Sequence, residues 1–232
     1  VNLKLKLRKL ELRGTIIGMI LGDGCLSKTT SKSNSRLSLG HSIKQENYLK
    51  FKFNRINKLL KIGYNYKKMN RFNKKTNKTY PVIQGNTNVH RYFTKLRKLI
   101  YNNEGKKVIN RKILNYLTNE GLAYWYMDDG GLHIYNRKDN KGYTRQCFIS
   151  TQSFTFEEHN IIIDWFKDKY NIECKAYKHG RDKYRITFNA TNAKILFSII
   201  EPYILPEFSY KLDLKYSDNP NGIKTINGKL PA

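Results

Sequence analysis

Gly18-Met19-Ile20-Leu21-Gly22-Asp23-Gly24 and Tyr124-Trp125-Tyr126-Met127-Asp128-Asp129-Gly130 are both apolar helical stretches closed by Asp-Gly, with Asp23 and Asp129 lying 106 residues apart. The repeat extends outward from them. A hairpin follows each, around residues 36–43 and 143–151, then an amphipathic helix over 45–60 and 155–170. Thr155 with Glu158 forms a capping box at the start of the second of these helices. A second hairpin (63–86 and 172–189) and a further helix (89–101 and 192–203) complete each half. Each half ends in a basic segment, with Lys106 placed 83 residues after Asp23 and Lys211 placed 82 after Asp129. The predicted fold class is α+β, two pseudosymmetric αββαββα halves. The first repeat spans 1–105 and the second 106–215. Residues 102–119 read as the connection, and 216–232, rich in Pro and Gly, as a loose tail.

In the first helix Gly14, Gly18 and Gly22 recur every four residues and share one face, where another backbone can approach closely. An Asp at a helix C-terminus opposes the macrodipole at a cost of about 0.3–1 kcal/mol. Its appearance twice, at equivalent positions, calls for a compensating cation. Two carboxylates beside main-chain carbonyls at packed helix ends make an oxygen-rich site suited to Mg²⁺ and to phosphodiester hydrolysis. A lone Asp-Gly would read as an ordinary turn; two in register favour function.

Composition narrows the partner. The 232 residues carry 44 Lys and Arg against 18 Asp and Glu, a formal charge of +26, so a polyanion is expected. The longest apolar runs fall far short of the ~18 residues that span a bilayer, so a membrane is excluded as partner. Three cysteines with no Cys-x-x-Cys pair indicate neither a disulfide framework nor a zinc site. Heavy use of Asn, Lys, Ile and Tyr fits AT-rich, organellar coding.

Residues 16–24 and 122–130, with the strings Leu122-Ala123-Tyr124-Trp125-Tyr126-Met127-Asp128-Asp129-Gly130-Gly131 and Thr151-Gln152-Ser153-Phe154-Thr155-Phe156-Glu157-Glu158, resemble the single-chain, double-motif LAGLIDADG homing endonucleases. The resemblance covers residues of about 10 to 215. It implies a saddle whose two antiparallel sheets straddle a DNA major groove, and a monomeric, intron-encoded, mitochondrial enzyme that cuts both strands and leaves 3′ overhangs. It implies Asp23 and Asp129 as metal ligands, with the main chain of Gly22 and Asp128 as further ligands. Mg²⁺ is the expected cofactor, Mn²⁺ is expected to substitute, and Ca²⁺ to bind without supporting cleavage. Lys106 and Lys211 are placed near each scissile phosphate, Lys107 standing beside the former as an alternative. His41 and Gln152 are read as equivalent strand-end residues that arrange water.

For DNA contacts, Lys183, Arg185, Thr187 and Asn189 alternate with Tyr184, Ile186 and Phe188, giving one basic, hydrogen-bonding face. Lys67, Lys68, Arg71, Lys74, Lys75 and Lys78 form a cluster suited to phosphates. Two rivals use the same charge: an RNA maturase, with host intron RNA as partner, and a basic structural RNA-binding protein. Neither needs two equivalent acidic helix ends.

Overall fold

The computed structural model describes residues 3–136 and 143–212; the expected tail over 216–232 lies outside them. The first half runs α1 (Leu3–Leu21), β1 (Cys25–Lys28), β2 (Ser35–Ser42), α2 (Glu46–Leu60), β3 (Tyr64–Asn73), β4 (Lys78–Thr87) and α3 (Arg91–Ile100). After α4 (Arg111–Tyr116) the second half repeats the order as α5 (Asn119–Asp129), β5 (Gly130–Asn136), β6 (Tyr143–Ile149), α6 (Phe156–Tyr170), β7 (Lys175–Lys178), β8 (Tyr184–Phe188) and α7 (Ala190–Ile200). Each half builds one antiparallel four-stranded sheet with the same permutation, β1-β2-β4-β3 and β5-β6-β8-β7. Two αββαββα units are therefore present, as the sequence predicts.

Local chemistry sets the element ends. Thr155 and Glu158 form the capping box that opens α6. α2 and α6 both stop at a residue in the left-handed region, Lys61 and Asn171. The connection over 102–119 is not a bare linker. The Asn110 side chain accepts from Ile113 N and starts α4, whose Ile113 and Leu114 are buried. That short turn of helix carries two apolar residues too few to register as a periodic pattern.

The halves meet through α1 and α5, and glycine makes the contact possible. A Cβ added to Gly18 would lie 1.9 Å from the Gly121 carbonyl oxygen, and one on Gly121 would lie 2.1 Å from that of Gly14. At the far end from the aspartates the same two helices are clamped by charge. Thr15 Oγ1 donates to Glu120 Oε2 at 2.9 Å, Arg55 Nε donates to Glu120 Oε1 at 2.7 Å, and Arg55 also pairs with Glu11. One apolar core runs continuously through both halves, from Ile16 and Ile20 to Trp125 and Trp165. Among the described residues no helix is long and apolar enough to cross a membrane.

Because backbone atoms bar a side chain at Gly18, Gly18→Ala should destabilise the fold by about 1–3 kcal/mol, the usual cost of overpacking. Gly40→Ala, whose nearest contact would be 3.8 Å away, should change stability little. Urea denaturation of both variants decides it, and equal stabilities would show that the helices can slide apart without cost.

Candidate active site

The close approach of α1 and α5 brings their C-terminal ends together. Asp23 follows the last turn of α1 with its side chain 47% exposed, and Asp129 is the last residue of α5. Three carboxylates crowd here. Burial first, then the charges of Asp23 and Asp128, push the Asp129 carboxyl up to about 7, against the pull of Lys107 and Lys211. Burial would raise Asp23 too, but a hydrogen bond from His41, with the charges of Lys52 and Lys107, outweighs it and holds its pKa below the usual value.

The cations that the sequence calls for are lysines reaching the helix ends themselves. Lys107 Nζ donates to the carbonyls of Ile20, in the last turn of α1, and Gly22, just past its end, at 2.6 and 3.0 Å. Lys211 Nζ donates to Met127 O of α5 at 2.6 Å, and Tyr126 Oη in turn donates to the Lys211 carbonyl. Each lysine caps the negative end of one motif helix. Burial draws both their pKa values down, opposed by the three aspartates.

Lys106 does not occupy this place. Its side chain is 76% exposed and pairs with Glu104. The bridge between Tyr101 and Lys107 sets the local alternation, so consecutive residues point to opposite sides and only Lys107 turns inward.

Asp128 is drawn away from the surface. Its carboxylate accepts from Lys52 Nζ at 2.7 Å on both oxygens, from Tyr48 Oη at 2.9 Å and from the Asp23 main-chain N–H at 3.1 Å. Both side chains of the Lys52–Asp128 pair have no solvent exposure. Gly22 makes room for it, because a Cβ there would fall 2.3 Å from an Asp128 carboxylate oxygen. Lys52 Nζ also lies 3.2 Å from His41 Nε2, and His41 Nδ1 lies 3.4 Å from Asp23 Oδ2. Asp23, His41 and Asp128 each bring one potential metal-binding atom to within 4.8 Å of the others. Lys52 and Tyr48 already satisfy the Asp128 oxygens, so this trio is an ion-paired chain and not a cation cage. Lys52 is legible in sequence only as a cation on the apolar stripe of α2, between Tyr48 and Ile56.

Gln152 does not match His41. Counting along the ladders, Cys25 pairs with Ser38 and Gly131 with Phe148, so the equivalent of His41 is Thr151. Thr151 is buried, bonded to His159 Nε2 and to Ile186 N. Gln152 lies one residue further on, half-buried in the turn before α6, and a one-residue shift changes the face.

The candidate cation ligands that remain are hard oxygens on two mutually repelling carboxylates, Asp23 and Asp129, beside the chain ends of two helices. That donor set fits a small divalent cation such as Mg²⁺. A cleft of about 210 Å³ opens beside Asp23, lined by His41, Gln45, Arg71 and Ile83. A larger cavity of about 640 Å³ lies around Glu11, Arg55 and Glu120 and contains none of the aspartates of the helix ends.

The polar faces of the two sheets are also set by register. Lys67 pairs with Gln84, and Arg71 Nη2 donates to Gln84 Oε1, so both share one face. Lys68 takes the other face and pairs with Glu46 of α2. Lys74, Lys75 and Lys78 are exposed at the hairpin end. In the second sheet Arg185 is buried, with its guanidinium 4.3 Å above the Phe148 ring and Nη1 3.1 Å from His133 Nε2. Thr187 is buried and donates to Lys175 O, and Asn189 caps α7 by accepting from Asn192 N. Lys183 remains exposed in the turn. Of the alternating face read from sequence, packing and capping therefore occupy Arg185, Thr187 and Asn189.

The sequence matches the LAGLIDADG DNA endonuclease family over residues 13–196. A probable intron-encoded endonuclease of Wickerhamomyces canadensis is 30% identical, over 85% of this chain and 82% of the relative. A cytochrome b mRNA maturase of Debaryomyces hansenii is also 30% identical, over 87% of this chain and 73% of its own length. Among solved structures, the homing endonuclease I-WcaI bound to its DNA recognition sequence superimposes with a TM-score of 0.73 at 28% identity, covering 91% of this chain and 92% of that one.

The buried pair gives a stability test. Lys52→Met strands a buried carboxylate and should cost about 3–5 kcal/mol, whereas Lys52→Met/Asp128→Asn should recover most of that loss, since a neutral pair avoids the stranded charge. Chemical denaturation measures both, and an unperturbed single variant would mean that Asp128 is solvated. Asp129 gives a test in pH. Its folded pKa near 7 lies above the ordinary 3.8, so the folded state holds the extra proton between those values. The penalty is absent below about pH 4, builds as pH rises and is complete above 7. Metal-free Asp129→Asn should therefore gain stability over the parent between pH 5 and 8, read from melts in a chelator. A gain independent of pH would reject the assignment.

Proposed function

The chain belongs to the LAGLIDADG DNA endonuclease family, and from that premise we propose that it is a homing endonuclease that hydrolyses one phosphodiester in each strand of a long, asymmetric double-stranded target. The supporting observation is the twinned helix end: an aspartate on each, and a half-buried lysine capping each. Cleavage across the minor groove with short 3′ overhangs completes the reading. So do a monomeric state, division of the chain into repeats at 1–105 and 106–215, and expression from an organellar intron.

In this reading Asp23 and Asp129 hold Mg²⁺, for which Mn²⁺ substitutes, together with the main-chain carbonyls of Gly22 and Asp128. A divalent cation there supplies neutralisation of the phosphate and acidification of bound water. Lys107 and Lys211 add positive charge where negative charge develops. His41 keeps the Asp23 carboxylate ionised and oriented. Lys67, Arg71, Lys74, Lys75 and Lys78, with Lys183 in the turn before β8, meet the DNA; the net charge of +26 supports binding that weakens with salt.

The maturase relative supplies a second reading, intron RNA binding without cleavage. The pair of aspartates and lysines is machinery that such a role does not require. Incubating the protein with Mg²⁺ and DNA carrying the uninterrupted insertion site separates the two: linear product is expected, and RNA binding with no DNA cleavage would reverse the assignment. Asp23→Asn and Asp129→Asn should each abolish double-strand cleavage while leaving DNA affinity largely intact. Lys107→Met should lower the cleavage rate by about 10²-fold or more, as for a lost charge-stabilising donor. Lys106→Ala should cut at the parental rate; equal effects at 106 and 107 would dissolve the distinction between them.

A further inference from the structure

Resting on the endonuclease reading, we infer that Lys52 is a positioning residue for the Asp23 centre alone, acting through His41 and held in place by Asp128, a carboxylate lent by the other half. Lys52 spans Asp128, with both oxygens at 2.7 Å, and His41 Nε2, at 3.2 Å. An ammonium has donors and no acceptor, so His41 Nε2 must accept. The imidazole proton then sits on Nδ1, which faces Asp23 Oδ2 at 3.4 Å. Donor logic thus fixes the tautomer, and with it the direction in which His41 serves Asp23. Ring contacts hold the arrangement: Tyr48 lies 5.0 Å from His41 and 4.2 Å under the Lys52 ammonium.

Among the described residues the second centre has no such chain. Aligning the residues that cap α2 and α6, Gln45 and Thr155, places Ile162 where Lys52 stands. The ladder equivalent of His41 is Thr151, which is committed to His159 and Ile186. At the remaining position Gly22 faces Asp128. The relay is therefore one-sided, running from Asp128 of the second motif through Lys52 and His41 to Asp23 of the first. Positioning of a metal ligand through an intermediate partner is worth about 10–100-fold in activity. One strand depends on the relay, and the other does not.

Lys52→Met/Asp128→Asn, which removes the charge pair as a unit, is the variant to test, on supercoiled plasmid bearing the target with Mg²⁺ and each strand end-labelled. DNA affinity should match the parent. The strand served by the Asp23 centre should be cut about 10–100-fold more slowly than the other, so that nicked circles accumulate. The slowed strand should be the one slowed by Lys107→Met. His41→Ala should give the same bias by itself and add little in the Lys52→Met/Asp128→Asn background, as expected of residues acting in series. A parent that cuts both strands, beside a variant that cuts them at unchanged or equally reduced rates, overturns the relay and leaves the endonuclease reading standing. A parent that cuts neither strand removes the endonuclease reading and the relay with it.

Discussion

The contact between α1 and α5 is the constraint on which the rest depends. Gly14, Gly18 and Gly121 let the two backbones meet with no side chain between them, and that closeness carries both helix C-termini to one point. Two macrodipoles then present their negative ends together, and each ends in an aspartate. Such a junction is electrostatically unfavourable by itself. The Arg55–Glu120–Glu11 cluster secures the opposite end, so the helices cannot relieve the repulsion by splaying.

The chain answers this concentration of negative charge with three lysines, Lys52 buried and Lys107 and Lys211 half-buried, each aimed at a different acceptor. Lys107 and Lys211 take main-chain carbonyls and leave the Asp23 and Asp129 carboxylates without a lysine partner; Lys52 takes a carboxylate and removes it from the surface. The contrast explains why adjacent aspartates, Asp128 and Asp129, have opposite fates. Asp128 is fully partnered inside. Asp129, pushed up to about 7 by burial and then by the charges of Asp23 and Asp128, occupies a position that gains from an added cation.

Much of this was legible in the sequence, for identifiable reasons. The doubled Asp-Gly motif, the four-residue glycine spacing and the repeated hairpin-helix order are periodic features, and periodicity survives the loss of three-dimensional information. What failed depended on register. Lys106 and Lys211 lie 83 and 82 residues after their aspartates, yet the inward lysine of the first half is Lys107, because a bridge at Tyr101 decides which neighbour faces in. Gln152 was one residue out for the same reason. Thr187 and Asn189 alternate correctly but are spent on a main-chain bond and a helix cap. Lys52 carried a readable sign, a charge on an apolar stripe, but its partner lies 76 residues away on another helix and no local pattern reveals it.

The asymmetry at positions 22 and 128 follows from packing across a pseudo-twofold axis. Two aspartates there would collide, since even a Cβ on Gly22 comes within 2.3 Å of the Asp128 carboxylate. Two glycines would leave Lys52 buried without a counter-charge, which costs several kcal/mol. A dimer of identical halves could adopt only one of these symmetric solutions. Fusing the halves into one chain permits Gly on one side and Asp on the other, so a single carboxylate fills the shared space and a single lysine neutralises it. The two helix ends then keep matched aspartates, Asp23 and Asp129, while their supporting residues differ. Symmetry is retained at the aspartates that close the two helices and given up where the interior has room for only one side chain.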